Sequence, residues 1–290
     1  MTELNVSVTR LTRDMAKAAK TLSDAEARFL VDSYYTVQED RIRNAAQTRE
    51  LTKAGEPNEL LGWLTDQSEV LEGQIKRALD KYTEAHKMGS WMREIYGIGP
   101  VLSAGLLANI SMKPWKCVNP KKKCKPEEPC NPQCHHEIIE TAGQIWRYAG
   151  LDPTLKWEKG QKRPWNATLK TLCWKIGQSF MKFSGQDECF YGKIYLERKK
   201  FEIERNERGD NAQLAATLKE KVSKTTDAYK SLSEGKLPPG QIDARARRYA
   251  VKIFLSHLHA EWYRREFGKE PAAPFAIGIL GHAHMINPPH

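Results

Sequence analysis

Long apolar runs are missing from this chain: no stretch approaches the roughly 18 consecutive apolar residues of a membrane-crossing helix. The opening MTELNVSVTRLTRD has no signal-peptide hydrophobic region, which predicts a cytoplasmic protein. Strand-like alternation is also absent, so the expected fold class is all-α. No Walker-type phosphate loop occurs. A two-metal nuclease needs three or four carboxylates converging on one site, usually with the first on a central strand, and here acidic residues mostly alternate with Lys and Arg along helices, the pattern of solvated faces. His257, His259 and Glu261 offer a His-x-His-x-Glu spacing, but on a helix only His257 and Glu261 share a face. The GHAH stretch at Gly281–His284 is as weak a metal signal, and packing of the tail is the expectation there. Cysteine is scarce, with six in 290 residues, and in a cytosolic chain it points to metal binding or burial over disulfides.

What is present is charge. Hydrophobic residues make up 40% of the chain, enough for a real core, and the charged fraction of 28% argues for long exposed helices. The net charge of +10 is concentrated: Lys113 to Lys200 holds 18 Lys/Arg against 9 Asp/Glu, leaving the remainder nearly neutral. A localised basic excess is an electrostatic footprint for polyanions. Trp115, Trp146, Trp157, Trp165 and Trp174 fall in the same segment. Aromatics interleaved with cations suit stacking on unpaired bases beside a phosphate track, although about half of the five are expected in the core.

Periodicity and capping divide the chain into an N-terminal segment 1–22, a helical arm 23–88 and a domain 89–290 with an insertion at 113–137. Ser23 and Glu26 have capping-box spacing at the head of a helix to about Lys53, and AGEP ends it. A second helix runs from about Asn58 to Lys87 with Leu60, Leu64, Leu71, Ile75, Ala78 and Tyr82 on a narrow seam. The pair reads as an antiparallel coiled-coil arm, and such arms commonly pair with a copy of themselves, so a homodimer is expected. Further helices are expected from about Ile138, Trp165 to Phe183, Gly192 to Arg208, a stretch ending near Leu232, and Gln241 to Phe267.

In IYGIGPVLSAGLLANI, Gly97 and Gly99 precede Pro100 at the first position of a helix. The turn lets backbone pass close to something without a side chain in the way, and the free N–H groups behind it attract an anion. This is the helix-hairpin-helix reading; a tight turn between two core helices fits equally well, because Val101, Leu102, Leu106, Leu107 and Ile110 form a good apolar face. The insertion that follows carries Cys117, Cys124, Cys130 and Cys134, with His135 and His136 beside the last, in a loop with almost no apolar residue to fold around. Four soft ligands can close a tetrahedral Zn²⁺ site there that replaces the missing core, the alternative being reduced free thiols; Cys173 and Cys189 are expected to be plain buried residues. Lys162 and Arg163 precede the helix at 165–183, and Asn166 and Lys170 lie four apart on one face near its N-terminus, where phosphate is favoured. With Lys156, Lys159, Trp165 and Lys175 they form the expected nucleic-acid contact.

The order GIGPVLSAGLLANI, IWRYAGLDP, KGQKRPWNATLKTLCWKIG resembles the C-terminal domain of bridge-RNA-guided DEDD-type transposases with a catalytic serine, over roughly Ile95–Phe183. Two departures stand out. The RuvC-like domain is replaced by the helical arm, and no serine occurs between Leu151 and Leu172. An arm joined to an α-helical domain also resembles the Nop domain of box C/D ribonucleoproteins, and the chain is similar to stand-alone Tas proteins of tandem interspaced guide RNA systems, which are prokaryotic or phage-encoded. That resemblance implies a guide RNA, a DNA target and no intrinsic nuclease, so no catalytic residue is expected; composition shows only a polyanion partner. The alternatives are a transposase-derived DNA-binding protein acting through the hairpin without RNA, a recombinase with an unrecognised nucleophile, and a scaffold.

Overall fold

The computed structural model describes residues 9–112, 139–272 and 286–289, with the backbone of 116–117 and 136–137. The regular elements among the described residues are helices apart from one two-residue antiparallel ladder, β1 (Lys116–Cys117) with β2 (His136–Glu137). No helix among them is long and apolar enough to cross a membrane. The chain divides into two compact units, residues 1–94 with 98–111, and residues 95–97 with 112–290.

In the first unit α1 (Arg13–Ala18) and a short 3₁₀ turn lead to α2 (Asp24–Lys53), α3 (Glu59–Ala85), α4 (Gly89–Glu94) and α5 (Pro100–Asn109). The starts of the long helices follow from the sequence. Ser23 and Glu26 form the reciprocal capping box, and the Asn58 side chain accepts from the Leu60 N–H at 3.0 Å. α2 and α3 run antiparallel: Tyr82 donates to Asp24 at 3.0 Å, and Tyr34, Gln38 and Arg41 all converge on Glu72. Burial is confined to one end. Ala27, Val31 and Tyr34 of α2 and Ala78, Leu79 and Tyr82 of α3 are buried together with Ala104, Leu106 and Leu107 of α5, which packs across both helices. Arg28 ties down the last turn of α5 by donating to the Ala108 carbonyl. Each large apolar side chain buried here contributes about 1.5–3 kcal/mol.

The other end of the pair differs from the expected seam. Leu60, Leu64 and Leu71 are exposed, as are Trp63, Val70 and Ile42. The buried residues of α3 begin at Gln74 and continue through Ala78, Leu79, Tyr82 and Thr83. The unit boundary also departs from the one read at residues 88 and 89: α4 and α5 belong with the arm.

The second unit holds α6 (Ala142–Tyr148), α7 (Ala167–Lys182), α8 (Phe190–Glu207), α9 (Ala212–Lys219), α10 (Asp227–Ser233) and α11 (Pro239–Phe267). The single helix expected up to Leu232 is therefore two short ones. α11 is the central element and packs against α6, α7 and α8. Its stripe meets an aromatic cluster in which Phe180 stacks on Tyr191 at 5.0 Å and Phe254 lies edge-on to Tyr191 at 5.2 Å. A satellite core of Ala215, Leu232, Leu237 and Ile242 joins α9 and α10 to the start of α11.

The histidines of α11 are structural. The His257 ring lies 2.9 Å from the Tyr191 hydroxyl and 2.7 Å from the Ile286 carbonyl, and His259 Nε2 lies 3.0 Å from the Ile139 carbonyl. Glu261 pairs with Arg264 and Arg265. The three residues are therefore separately engaged. Gly281–His284 lies outside the described residues.

Candidate functional site

The AGLDP segment organises the site. Gly150 ends α6 with φ +65°, and a Cβ there would stand 2.8 Å from Trp165 Cγ and 3.0 Å from Lys170 Cδ. Only glycine lets the chain turn left-handed directly against an indole. Asp152 then closes a local turn by accepting from the Thr154 N–H at 2.9 Å and hydroxyl at 2.7 Å. On the far side of Gly150, Asn166 caps α7: its side chain accepts from the Leu169 N–H at 3.0 Å and donates to the Tyr148 hydroxyl at 2.9 Å. Asn166 therefore holds the start of α7 against the end of α6.

Around this frame the side chains form a cationic and aromatic track. Lys170 Nζ sits 4.0 Å from the centre of the Trp165 ring, Trp165 meets Trp157 edge-on at 6.5 Å, and the Arg163 guanidinium lies 5.4 Å from Trp157. Lys252 Nζ lies 4.7 Å from the Trp146 ring, whose N–H donates to the Lys252 carbonyl at 3.1 Å. Of the clustered tryptophans, Trp146 and Trp165 are half-buried, and Trp157 and Trp174 are exposed. None of these four belongs to the core, against the expectation for about half; the fifth, Trp115, lies outside the described residues. The interior positions go instead to Trp91 and Trp262.

A cavity of about 280 Å³ opens between the AGLDP loop, α8 and α11, lined by Arg198, Arg205, Arg245, Arg248 and Lys252. Its one carboxylate is Glu202, 2% exposed, which holds Arg198 and Arg245 and lies 4.0 Å from Arg205. Arg245 also donates to Asn211 at 2.9 Å, and the Arg198 guanidinium lies 4.6 Å from the Tyr249 ring. Asp243 is likewise occupied by Lys199 and Arg247, each at 3.0 Å. Among the described residues Arg248 and Lys252 take part in no ion pair. Partial burial, reinforced by Arg245 and Arg247, lowers the Arg248 pKa, while Glu202 opposes the shift. Burial also lowers that of Lys252, with Asp152 opposing and Arg248 adding to the shift. Lys170 is lowered by burial and by Arg163 and Arg248, which joins the two cationic groups into one field. Crowded, partly desolvated cations that form no ion pair among the described residues are what an anion relieves.

The residues expected to bind divide clearly. Lys156, Lys159, Lys162 and Arg163 are exposed on the loop before α7, Trp165 and Lys170 stand at the cleft, and Lys175 is half-buried on α7. Gly97 packs against the fold itself. With φ +90° it lies against α7: a Cβ would stand 3.4 Å from Ser179 Oγ and 3.5 Å from Phe180, and Ser179 donates to its carbonyl. Gly99 caps α5 in the first unit, with nothing within 4 Å of a Cβ built there. Cys124, Cys130 and Cys134 lie outside the described residues, and of Cys117 the backbone alone is described, opposite His136 in the ladder. Among the described residues no group of three or more His, Cys, Asp or Glu side chains could hold a metal ion. Cys173 and Cys189 are free and buried, as expected.

Arg245, Arg248 and Lys252 were not among the expected contacts. Their signal is the run Ala244–Arg248, ARARR, followed by Lys252 one helical turn after Arg248. No protein-family model matches the chain, nor does any curated protein or solved structure.

Proposed function

We propose that this chain is a guide-RNA-binding protein that directs its RNA to a DNA target and carries no nuclease of its own. The observation that carries the reading is the cleft of the second unit, where Arg248 and Lys252 form no ion pair among the described residues and stand beside Trp146, Trp165 and Lys170. A phosphate backbone supplies the missing negative charge, and exposed indoles offer stacking surfaces for unpaired bases. The guide and the DNA target come from the resemblance to stand-alone Tas proteins; in such a division of labour the protein holds backbone and base pairing reads sequence. Binding without cleavage fits the acidic groups at the cleft, since Glu202 and Asp243 are tied to arginine and lysine. The exposed leucines of α3 support pairing of two copies through the arm, and the four cysteines of the insertion support a structural Zn²⁺.

The second reading is duplex DNA binding without RNA, favoured by the open N-terminus of α5 at Gly99. Nucleic acid extracted from the purified full chain separates the two. The first reading expects a defined small RNA sensitive to ribonuclease. Recovery of duplex DNA alone refutes it in favour of the second, and Mg²⁺-dependent cutting by the pure protein refutes the absence of a nuclease.

A further inference from the structure

A second cavity, of about 160 Å³, adjoins the basic one and shares Leu151 and Arg248 with it. It lies between α7 and α11, and its walls are largely apolar: Leu151, Cys173, Ala244 and Val251. Gly177 closes it where the helices approach, since a Cβ there would stand 3.3 Å from Arg247 Cβ and 3.4 Å from Val251 Cγ2. Burial pushes the Cys173 thiol up to about 12, so this wall stays uncharged. Trp174 stands at the rim, 60% exposed, with no ring or hydrogen-bond partner among the described residues. An apolar slot the size of one heterocycle, an exposed indole at its edge and a cationic chamber next door, joined by one accessible arginine, match the parts of a nucleotide.

We propose that the paired cavities hold a single unpaired nucleotide of the bound RNA, with its base in the apolar cavity against Trp174 and its phosphate in the basic cavity at Arg248 and Lys252. Arg248 stands on the wall between them, where a planar guanidinium can face a base and bind phosphate oxygens with the same group. A bulged or looped nucleotide suits this site best, because its base is already out of the helical stack. The inference rests on the reading of the cleft as an RNA-binding surface, and adds to it a discrete recognition point.

The test compares two fluorescent hairpin RNAs on the full-length protein stripped of nucleic acid, one with a single-nucleotide bulge and the other with an abasic residue at that position. The intact bulge should bind more tightly, on the order of tenfold, the scale of one base–aromatic stack. Ala244→Leu, which fills the apolar cavity, should remove the difference while leaving affinity for the abasic hairpin unchanged. If Ala244→Leu melts early, Trp174→Ala at an exposed position carries the same comparison. Equal binding of the two hairpins by wild type overturns the nucleotide site and leaves the RNA-binding reading standing. Failure of both hairpins to bind with any salt dependence overturns both.

Discussion

Replacing Lys170, Arg248 and Lys252 together with glutamine removes three positive charges from the cleft while keeping an unbranched polar side chain at each position. Each phosphate contact on a single strand contributes about 0.7 to the slope of log K against log salt, so three lost contacts flatten the slope by about 2 and weaken binding roughly 50-fold near 0.15 M salt. Stability should move the other way or not at all. None of the three is ion-paired among the described residues, and the lowered pKa values of Arg248 and Lys252 reflect repulsion and desolvation that the neutral side chains relieve. The visible losses are the contacts of Lys170 with Trp165 and of Lys252 with Trp146, each worth about 0.5–1 kcal/mol at an accessible site and offset by the relieved desolvation and repulsion. Fluorescence anisotropy with the co-purified RNA, across salt from about 50 to 300 mM, reads the slope directly. Lys230→Gln is the control, since Lys230 lies exposed on α10 in a surface pair with Asp227. An unchanged slope in the triple variant, or a drop matched by Lys230→Gln, refutes the assignment of the cleft.

Leu64→Glu with Leu71→Glu should leave the helix pair folded, because both side chains are exposed in the single chain, yet remove about 2 kcal/mol or more of burial per leucine from a paired arm. Light scattering that shows the same mass for variant and wild type places any dimer seam elsewhere. Burial lowers the pKa values of His257 and His259, so the unfolded chain takes up protons first as acid is added; stability is full above the ordinary imidazole value of about 6.5, falls below it, and levels off under the depressed folded values. Thermal melts that stay flat from pH 7 to 5, or a slope unaltered in His257→Gln/His259→Gln, would count against this. Metal analysis should find about one Zn²⁺ per chain, lost in Cys124→Ser/Cys130→Ser, and under about half an equivalent in wild type refutes the ligand set.

Helix ends were legible because their causes are local. Ser23 with Glu26, Asn58, and Gly99 before Pro100 each act within a turn of the backbone they cap, and each stands where the sequence puts it. The destination of a helix face is not local. Leu60, Leu64 and Leu71 carry a regular spacing whatever covers them, and in the folded chain burial along α3 begins only at Gln74. The cleft escaped for a related reason. Its cations straddle the end of the charge-rich window, Lys170 and Arg198 within it and Arg205, Arg245, Arg248 and Lys252 beyond it, and only the packing of α11 on α7 and α8 brings them together. Charge balance along a chain cannot register that Glu202 is buried under three arginines while Arg248 is left without one. Gly97 shows the opposite lesson: the need for close approach was legible, but what approaches is the end of α7.

The ladder between Lys116–Cys117 and His136–Glu137 fixes where the cysteine-rich segment begins and ends. Paired residues across such a ladder stand about 5 Å apart, which sets Cys117 and His136 side by side. The backbone just beyond is anchored separately, through the Ile139 carbonyl on His259 of α11. The chain entering α6 is thus held by two separate contacts, and doubling a closed loop costs in general only about 0.6 kcal/mol in closure entropy. A reporter peptide grafted between Cys117 and His136 is therefore expected to leave the melting temperature of the helices that build the cleft unchanged.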